Sequence, residues 1–148
     1  MVGGREQTLA PLPLSDGRFL HLQVSLARIS TEAGPRWKVR QARYQYQLDR
    51  EATSKRWLFR YDYLREPDAA AGPPSAHLNL HALPAVPGFE LKDGTLRRVH
   101  FPTRRMSIEA VIRLLIDEFA VPCASDGRAR RAMLAESERA FLEIAHGP

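Results

Sequence analysis

Two short stretches of this chain bring together the side chains best able to do chemistry. Arg56-Trp57-Leu58-Phe59-Arg60-Tyr61-Asp62-Tyr63-Leu64 and Ala76-His77-Leu78-Asn79-Leu80-His81-Ala82-Leu83 both alternate in polarity, and in a strand alternate side chains face opposite ways. Arg60 and Asp62 therefore share one face, with Trp57, Phe59, Tyr61 and Tyr63 on the other. His77, Asn79 and His81 likewise lie opposite Leu78 and Leu80. Pairing the strands with their apolar faces aligned gathers Arg60, Asp62, His77, Asn79 and His81 on one side of a sheet. An imidazole takes up and returns protons near neutral pH, and a guanidinium beside it can hold a phosphate oxyanion while charge develops. That is the equipment of a metal-independent ribonuclease.

A zinc site is the first rival. Two histidines four residues apart share an ion on a helix, but the prolines around His77 and His81 leave too little room for one. On a strand rising about 3.3 Å per residue the two stand roughly 13 Å apart, too far for bonds of about 2 Å to one ion. Cys123 is the only cysteine and no acidic cluster lies near, so neither a metal nor another cofactor is expected. A plainer account also fits the residues: the open face of an antiparallel sheet is polar in any case, and an exposed Arg60–Asp62 pair contributes only about 0–1 kcal/mol.

The elements that must position these groups follow from periodicity. Met1 to Asp16 has two glycines, two prolines and no period, so residues 1–16 read as a flexible arm. Leu20, Leu22, Val24 and Leu26 alternate with His21, Gln23, Ser25 and Ala27 from Arg18 to Ser30, and Tyr44, Tyr46 and Leu48 alternate with Arg43, Gln45 and Gln47 between Arg36 and Asp49. The short turn between these two strands implies a hairpin. Glu66 to Ser75 is a loop broken by Pro67, Gly72, Pro73 and Pro74, and Asp93-Gly94 marks a hairpin leading into Leu96 to Phe101. That fifth strand places Arg98 and His100 on one face. Ser107 is a helix N-cap before the stripe Ile108, Val111, Ile112, Leu115 and Phe119, which Pro122 ends. A second helix runs from about Gly127 to Ala145, capped by Ser125 or Asp126, with Met133, Leu134, Phe141 and Ile144 turned inward. Strands first and helices last is an α+β order. The expected architecture is one domain over 17–148, a mostly antiparallel sheet of about five strands with both helices on its apolar face and its polar face open to water.

Composition narrows the function classes. The 148 residues suit one globular domain, and a net charge of +5, carried mostly by arginine, favours an anionic partner. Arg97, Arg98, Arg104 and Arg105 cluster near the fifth strand and first helix, and Arg128, Arg130 and Arg131 open the second helix. Arg43, Arg97, Arg98, His100, Arg104 and Arg105 are the candidate nucleic-acid contacts. No run approaches the roughly 18 apolar residues of a membrane span, and Met1 to Leu14 lacks the apolar core of a signal peptide. A cytoplasmic protein is the expectation.

Tyr44-Gln45-Tyr46-Gln47, Leu58-Phe59-Arg60-Tyr61-Asp62, a proline-bearing loop, a histidine-bearing strand and a late helix opened by Ser107-Ile108-Glu109 together resemble the TumE-type toxins of prokaryotic toxin–antitoxin pairs. The likeness spans Arg40 to Phe119. It implies a compact α+β toxin acting on RNA and neutralised by a cognate antitoxin, often a DNA-binding protein. Arg60 and Asp62 fall on the family's Arg-aromatic-Asp motif, and His81 or His77 on its histidine strand; Tyr63 stands where the family usually has Asn. The catalytic set implied is Arg60, Asp62, His77 and His81, with self-association into a homo-oligomer left open. The reading from another class is a non-catalytic module that binds protein or nucleic acid through the polar sheet face and the arginine clusters.

Overall fold

The computed structural model describes residues 5–8, 10–32, 34–66, 74–81, 101–123 and 126–146. Seven strands precede two helices: β1 (Arg5–Thr8), β2 (Leu12–Pro13), β3 (Phe19–Thr31), β4 (Gly34–Gln47), β5 (Trp57–Leu64), β6 (Ala76–Leu80), β7 (Phe101–Pro102), α1 (Ile108–Asp117) and α2 (Gly127–His146). The strands form one antiparallel sheet in the order β1-β3-β4-β5-β6-β7, with β2 also on β3. This is an α+β fold. Its contacts divide into two compact units, Met1–Pro13 with Gly17–Arg104 and Leu14–Asp16 with Arg105–Pro148, where the sequence reading has one domain. No helix among the described residues is long and apolar enough to cross a membrane.

In the sheet unit the period-two pattern sets the register. Leu20, Tyr46, Phe59 and Leu80 stand opposite one another across β3 to β6, and the next apolar row is Leu22, Tyr44, Tyr61 and Leu78. Tyr44 and Tyr61 stack with centroids 5.6 Å apart, and Tyr46 meets Phe59 at the same separation, tilted by 43°. Such aromatic pairs contribute about 0.5–1.5 kcal/mol each beyond the burial of their area. Arg18 covers the Tyr46 ring, its Cζ 5.5 Å from the centroid, and its Nη1 donates to the Tyr46 hydroxyl at 2.7 Å. Tyr46, Phe59 and Tyr61 are fully buried.

Three expectations are corrected here. Residues 1–16 are not merely a loose arm: Arg5–Thr8 pairs with Gln23–Leu26, and Leu12–Pro13 with Phe19–Leu20. Edge pairing uses backbone N–H and C=O groups, which need no apolar period. Nor is the polar sheet face open to water, because His21, Gln45, Gln47, Asp62, His77 and Asn79 are all buried. Trp57 also leaves the apolar face. The register slips between Tyr46↔Phe59 and Gln47↔Trp57, so Leu58 is an extra residue and the bulge turns Trp57 over.

The second unit contains the helices. Ser107 caps α1 by accepting from the Ala110 N–H at 3.0 Å, and Asp126 caps α2 by accepting from the Arg128 N–H at 3.1 Å. The helices are tied by Ser137 donating to Glu109 Oε1 at 2.5 Å and by an Arg113–Glu138 ion pair, and Arg105 lies over the Phe141 ring at 5.0 Å. Val111, Leu115 and Leu134 are buried in this unit. Met133, expected inward, is exposed. It lies one residue from buried Leu134, about 100° around the helix.

Candidate functional site

The register places two polar rows across the sheet: Gln23, Arg43, Asp62 and His77, then His21, Gln45, Arg60 and Asn79. Their centre is the Asp62 carboxylate. Oδ1 accepts from Arg43 Nε at 2.8 Å, while Oδ2 accepts from Arg60 Nε at 2.6 Å and Asn79 Nδ2 at 3.0 Å. His77 Nε2 stands 3.8 Å from the same oxygen. The Asp62 side chain is 12% exposed, against 33% for Arg43 and 27% for Arg60, so a nearly buried anion holds two half-exposed cations. Burying a carboxylate is costly unless charges and donors surround it, and here four neighbours do so. This mutual satisfaction is why the polar face can be buried.

Each arginine meets Asp62 through Nε alone. Among the described residues, the Nη groups of Arg43 and Arg60 donate to none. A guanidinium has five N–H donors in a planar fork, so each keeps its terminal fork for an anion.

The bulge in β5 adds a group that strict alternation hides. Arg60 lies over the Trp57 ring at 5.2 Å, and the Trp57 and His81 rings are 4.6 Å apart. The Trp57 carbonyl is 3.0 Å from His81 Nδ1. A carbonyl only accepts, so Nδ1 carries the proton and the neutral ring has its lone pair on Nε2. His77 is fixed in the same sense, its Nδ1 donating to the Pro74 carbonyl at 2.8 Å, but it is only 5% exposed. His81 is half-buried. Of the two histidines, His81 is the one placed to exchange a proton with a ligand.

The β4–β5 connection closes one end of the face. Gln45 Nε2 donates to Gln47 Oε1 at 2.7 Å and to the Ser54 carbonyl at 3.2 Å, while Gln47 Nε2 donates to the carbonyls of Asp49 and Glu51 at 2.7 and 2.8 Å. His21 is buried beside them, and its Nε2 has no hydrogen-bond partner among the described residues. Burial and then the Arg43 charge hold the His21 imidazole below its ordinary pKa.

Of the expected site residues, the fold unites Arg60, Asp62 and His77 with Arg43, which the sequence assigns to nucleic-acid contact, and sets His81 beside Arg60 through Trp57. Arg104 is exposed and Arg105 is half-buried over Phe141, and they fall in different units. Arg97, Arg98 and His100 lie outside the described residues. Trp57 and Asn79 complete the site. Asn79 was legible by parity, but Trp57 was hidden by the bulge. Among the described residues, no group of three or more His, Cys, Asp or Glu is placed to hold a metal ion. No protein-family model matches the chain, and no curated protein or solved structure is significantly similar to it.

Proposed function

We propose that this protein is the toxin of a toxin–antitoxin pair and that it cleaves RNA as a metal-independent endoribonuclease. The observation supporting this reading is the double use of Asp62, which holds Arg43 and Arg60 by Nε and leaves both terminal forks on the face that carries His81. In the proposed reaction the forks bind the non-bridging oxygens of a phosphodiester, and His81 Nε2 accepts the proton of the 2′-hydroxyl. The 2′-oxygen bonds to phosphorus, the bond to the 5′-oxygen breaks, and the protonated imidazole returns its proton to that leaving oxygen. The products are a 2′,3′-cyclic phosphate and a 5′-hydroxyl. The two guanidinium ions offset the charge that builds on the phosphorane. An antitoxin that covered the forks with its own carboxylates would silence the site.

The test is cleavage of an end-labelled single-stranded RNA by the purified protein in excess EDTA. Cyclic-phosphate ends are expected, with a loss of about 100-fold or more in His81→Ala and no loss of its cooperative unfolding. Growth arrest on expression should disappear with the same substitution. Asp62, Asn79 and His77 also satisfy one another as a purely structural centre would, which favours a non-catalytic binding module as the second reading. A folded protein that leaves RNA intact, or a His81→Ala variant as active as the parent, decides for the module.

A further inference from the structure

Strands β3 and β4 run on past the rest of the sheet. The last rung with β5 is Gln41↔Leu64 and the last with β1 is Leu26↔Arg5, yet β3 and β4 continue pairing from Ala27↔Lys38 to Thr31↔Gly34. Among the described residues, no strand pairs with the outer edges of this ribbon over 27–31 and 34–38. Its root is fastened by Arg65, whose backbone N–H donates to the Arg40 carbonyl and whose Nε donates to the Val39 carbonyl, both at 2.9 Å. A two-stranded ribbon by itself buries little surface and is marginal in water, so among the described residues packing gives no reason for this extension.

Its side chains give one. From residue 27 to residue 40 the cations are Arg28, Arg36, Lys38 and Arg40, against the single acid Glu32. None of the four forms an ion pair among the described residues, and three of them, Arg28, Arg36 and Arg40, are exposed. Trp37 is 55% exposed, the highest exposure of any large aromatic in the described structure, and it stands directly across from Arg28. Opposed residues of an antiparallel pair project from the same face, so an indole and a guanidinium share one side while Arg36 and Lys38 charge the other. An exposed ring beside an exposed guanidinium, on a ribbon rich in cations, matches a nucleobase for the ring and phosphates for the charges. Stacking on a side chain requires an unpaired base, which favours a single strand over a duplex.

We propose that the 27–40 ribbon is a docking arm for single-stranded RNA, with one base stacked on Trp37, the adjacent phosphate held by Arg28 on the same face, and the charge of Arg36, Lys38 and Arg40 drawing the rest of the strand to the ribbon. The choice of RNA as the strand rests on the ribonuclease reading above; the binding surface does not involve the Asp62 centre.

Binding and cleavage therefore test the two separately. The full-length His81→Ala protein, which leaves its ligand whole, is titrated into a fluorescein-labelled single-stranded RNA, with anisotropy and tryptophan emission followed together. Trp37→Ala in that background should weaken binding by about fivefold or more, and Trp37→Phe should restore most of it. Arg28→Ala with Lys38→Ala should lower the slope of log affinity against log salt by about 0.7 for each phosphate contact removed. Far-UV circular dichroism on every variant shows that the sheet is retained. Unchanged affinity and salt slope in these folded variants overturn the proposal, as does preference for an RNA or DNA duplex of equal length. Poly-glutamate displacing the RNA with equal potency, together with no effect of Trp37→Ala, also overturns it and points to an acidic protein. RNA bound through the ribbon but not cleaved by the parent chain leaves the arm standing and removes the ribonuclease; cleavage untouched by ribbon substitutions does the reverse.

Discussion

One carboxylate decides how the polar residues of this sheet behave. From sequence, replacing Arg60, Asp62 or His81 should cost little stability, because exposed polar changes are usually worth less than about 0.5 kcal/mol. The fold corrects this for Asp62, whose carboxylate is nearly buried and accepts from Arg43, Arg60 and Asn79. Asp62→Ala would leave two like charges together without their anion. It should lower unfolding free energy by about 3 kcal/mol, the low end for a broken buried pair, since both arginines keep partial exposure. His81→Ala removes one hydrogen bond and one ring contact at a half-buried position, and should cost about 1 kcal/mol. His77 is the more buried histidine, so His77→Ala should destabilise more than His81→Ala yet reduce cleavage less. Urea denaturation of each variant, set beside its RNA cleavage rate, checks the reversed order. Equal losses of both kinds would mean that the histidines are not divided in this way.

The strands show where alternation is a sufficient guide and where it fails. Arg60, Asp62, His77 and Asn79 were legible as one group because β5 and β6 pair without a slip from Phe59↔Leu80 to Tyr63↔Ala76. Trp57 was misplaced because one extra residue, Leu58, inverts parity, and nothing local in Arg56-Trp57-Leu58 announces a bulge. Burial of the polar face was not legible either, since it depends on which donors meet which acceptors across strands. Trp57→Ala should therefore lower RNA cleavage well beyond its effect on stability, because Arg60 loses the ring beneath it, a contact worth about 0.5–1 kcal/mol at partly exposed sites. Helix starts were easier to read, because caps are chemical and local. Ser107→Ala should cost about 1 kcal/mol. Ser107→Asp, a good cap in isolation, should fail to recover that loss, because Ser107 Oγ lies 3.4 Å from the Glu138 carboxylate and a second anion would be repelled there. Chemical denaturation of both variants reads the difference directly.

At the scale of the whole molecule, each of the two units carries, among the described residues, an acid-sensitive group of its own kind. In the sheet unit, His21 has its pKa lowered from 6.5, first by burial and then by Arg43. The unfolded chain binds a proton there that the folded chain refuses, so this stability is complete above pH 6.5 and is lost as pH falls towards the lower folded value. Glu109, in the helical unit, is pulled both ways. Burial alone would raise its pKa, but the hydrogen bonds it accepts, led by that from Ser137, and the charge of Arg113 outweigh it and bring the pKa below 4.5. Its contribution is intact above pH 4.5 and fades only as pH falls through that lower value. Acidification should therefore loosen the units in sequence. Hydrogen exchange followed by mass spectrometry, corrected for the pH dependence of intrinsic rates, should show weakened protection in β3 and β4 between pH 6.5 and 4.5. Protection in α1 and α2 should persist until the pH drops below 4.5. His21→Gln, which keeps a polar group of similar size but cannot titrate, should abolish the first phase and leave the second in place. If both units instead lose protection together, and His21→Gln shifts neither, then protonation of His21 does not govern the sheet and the first acid step belongs to another group.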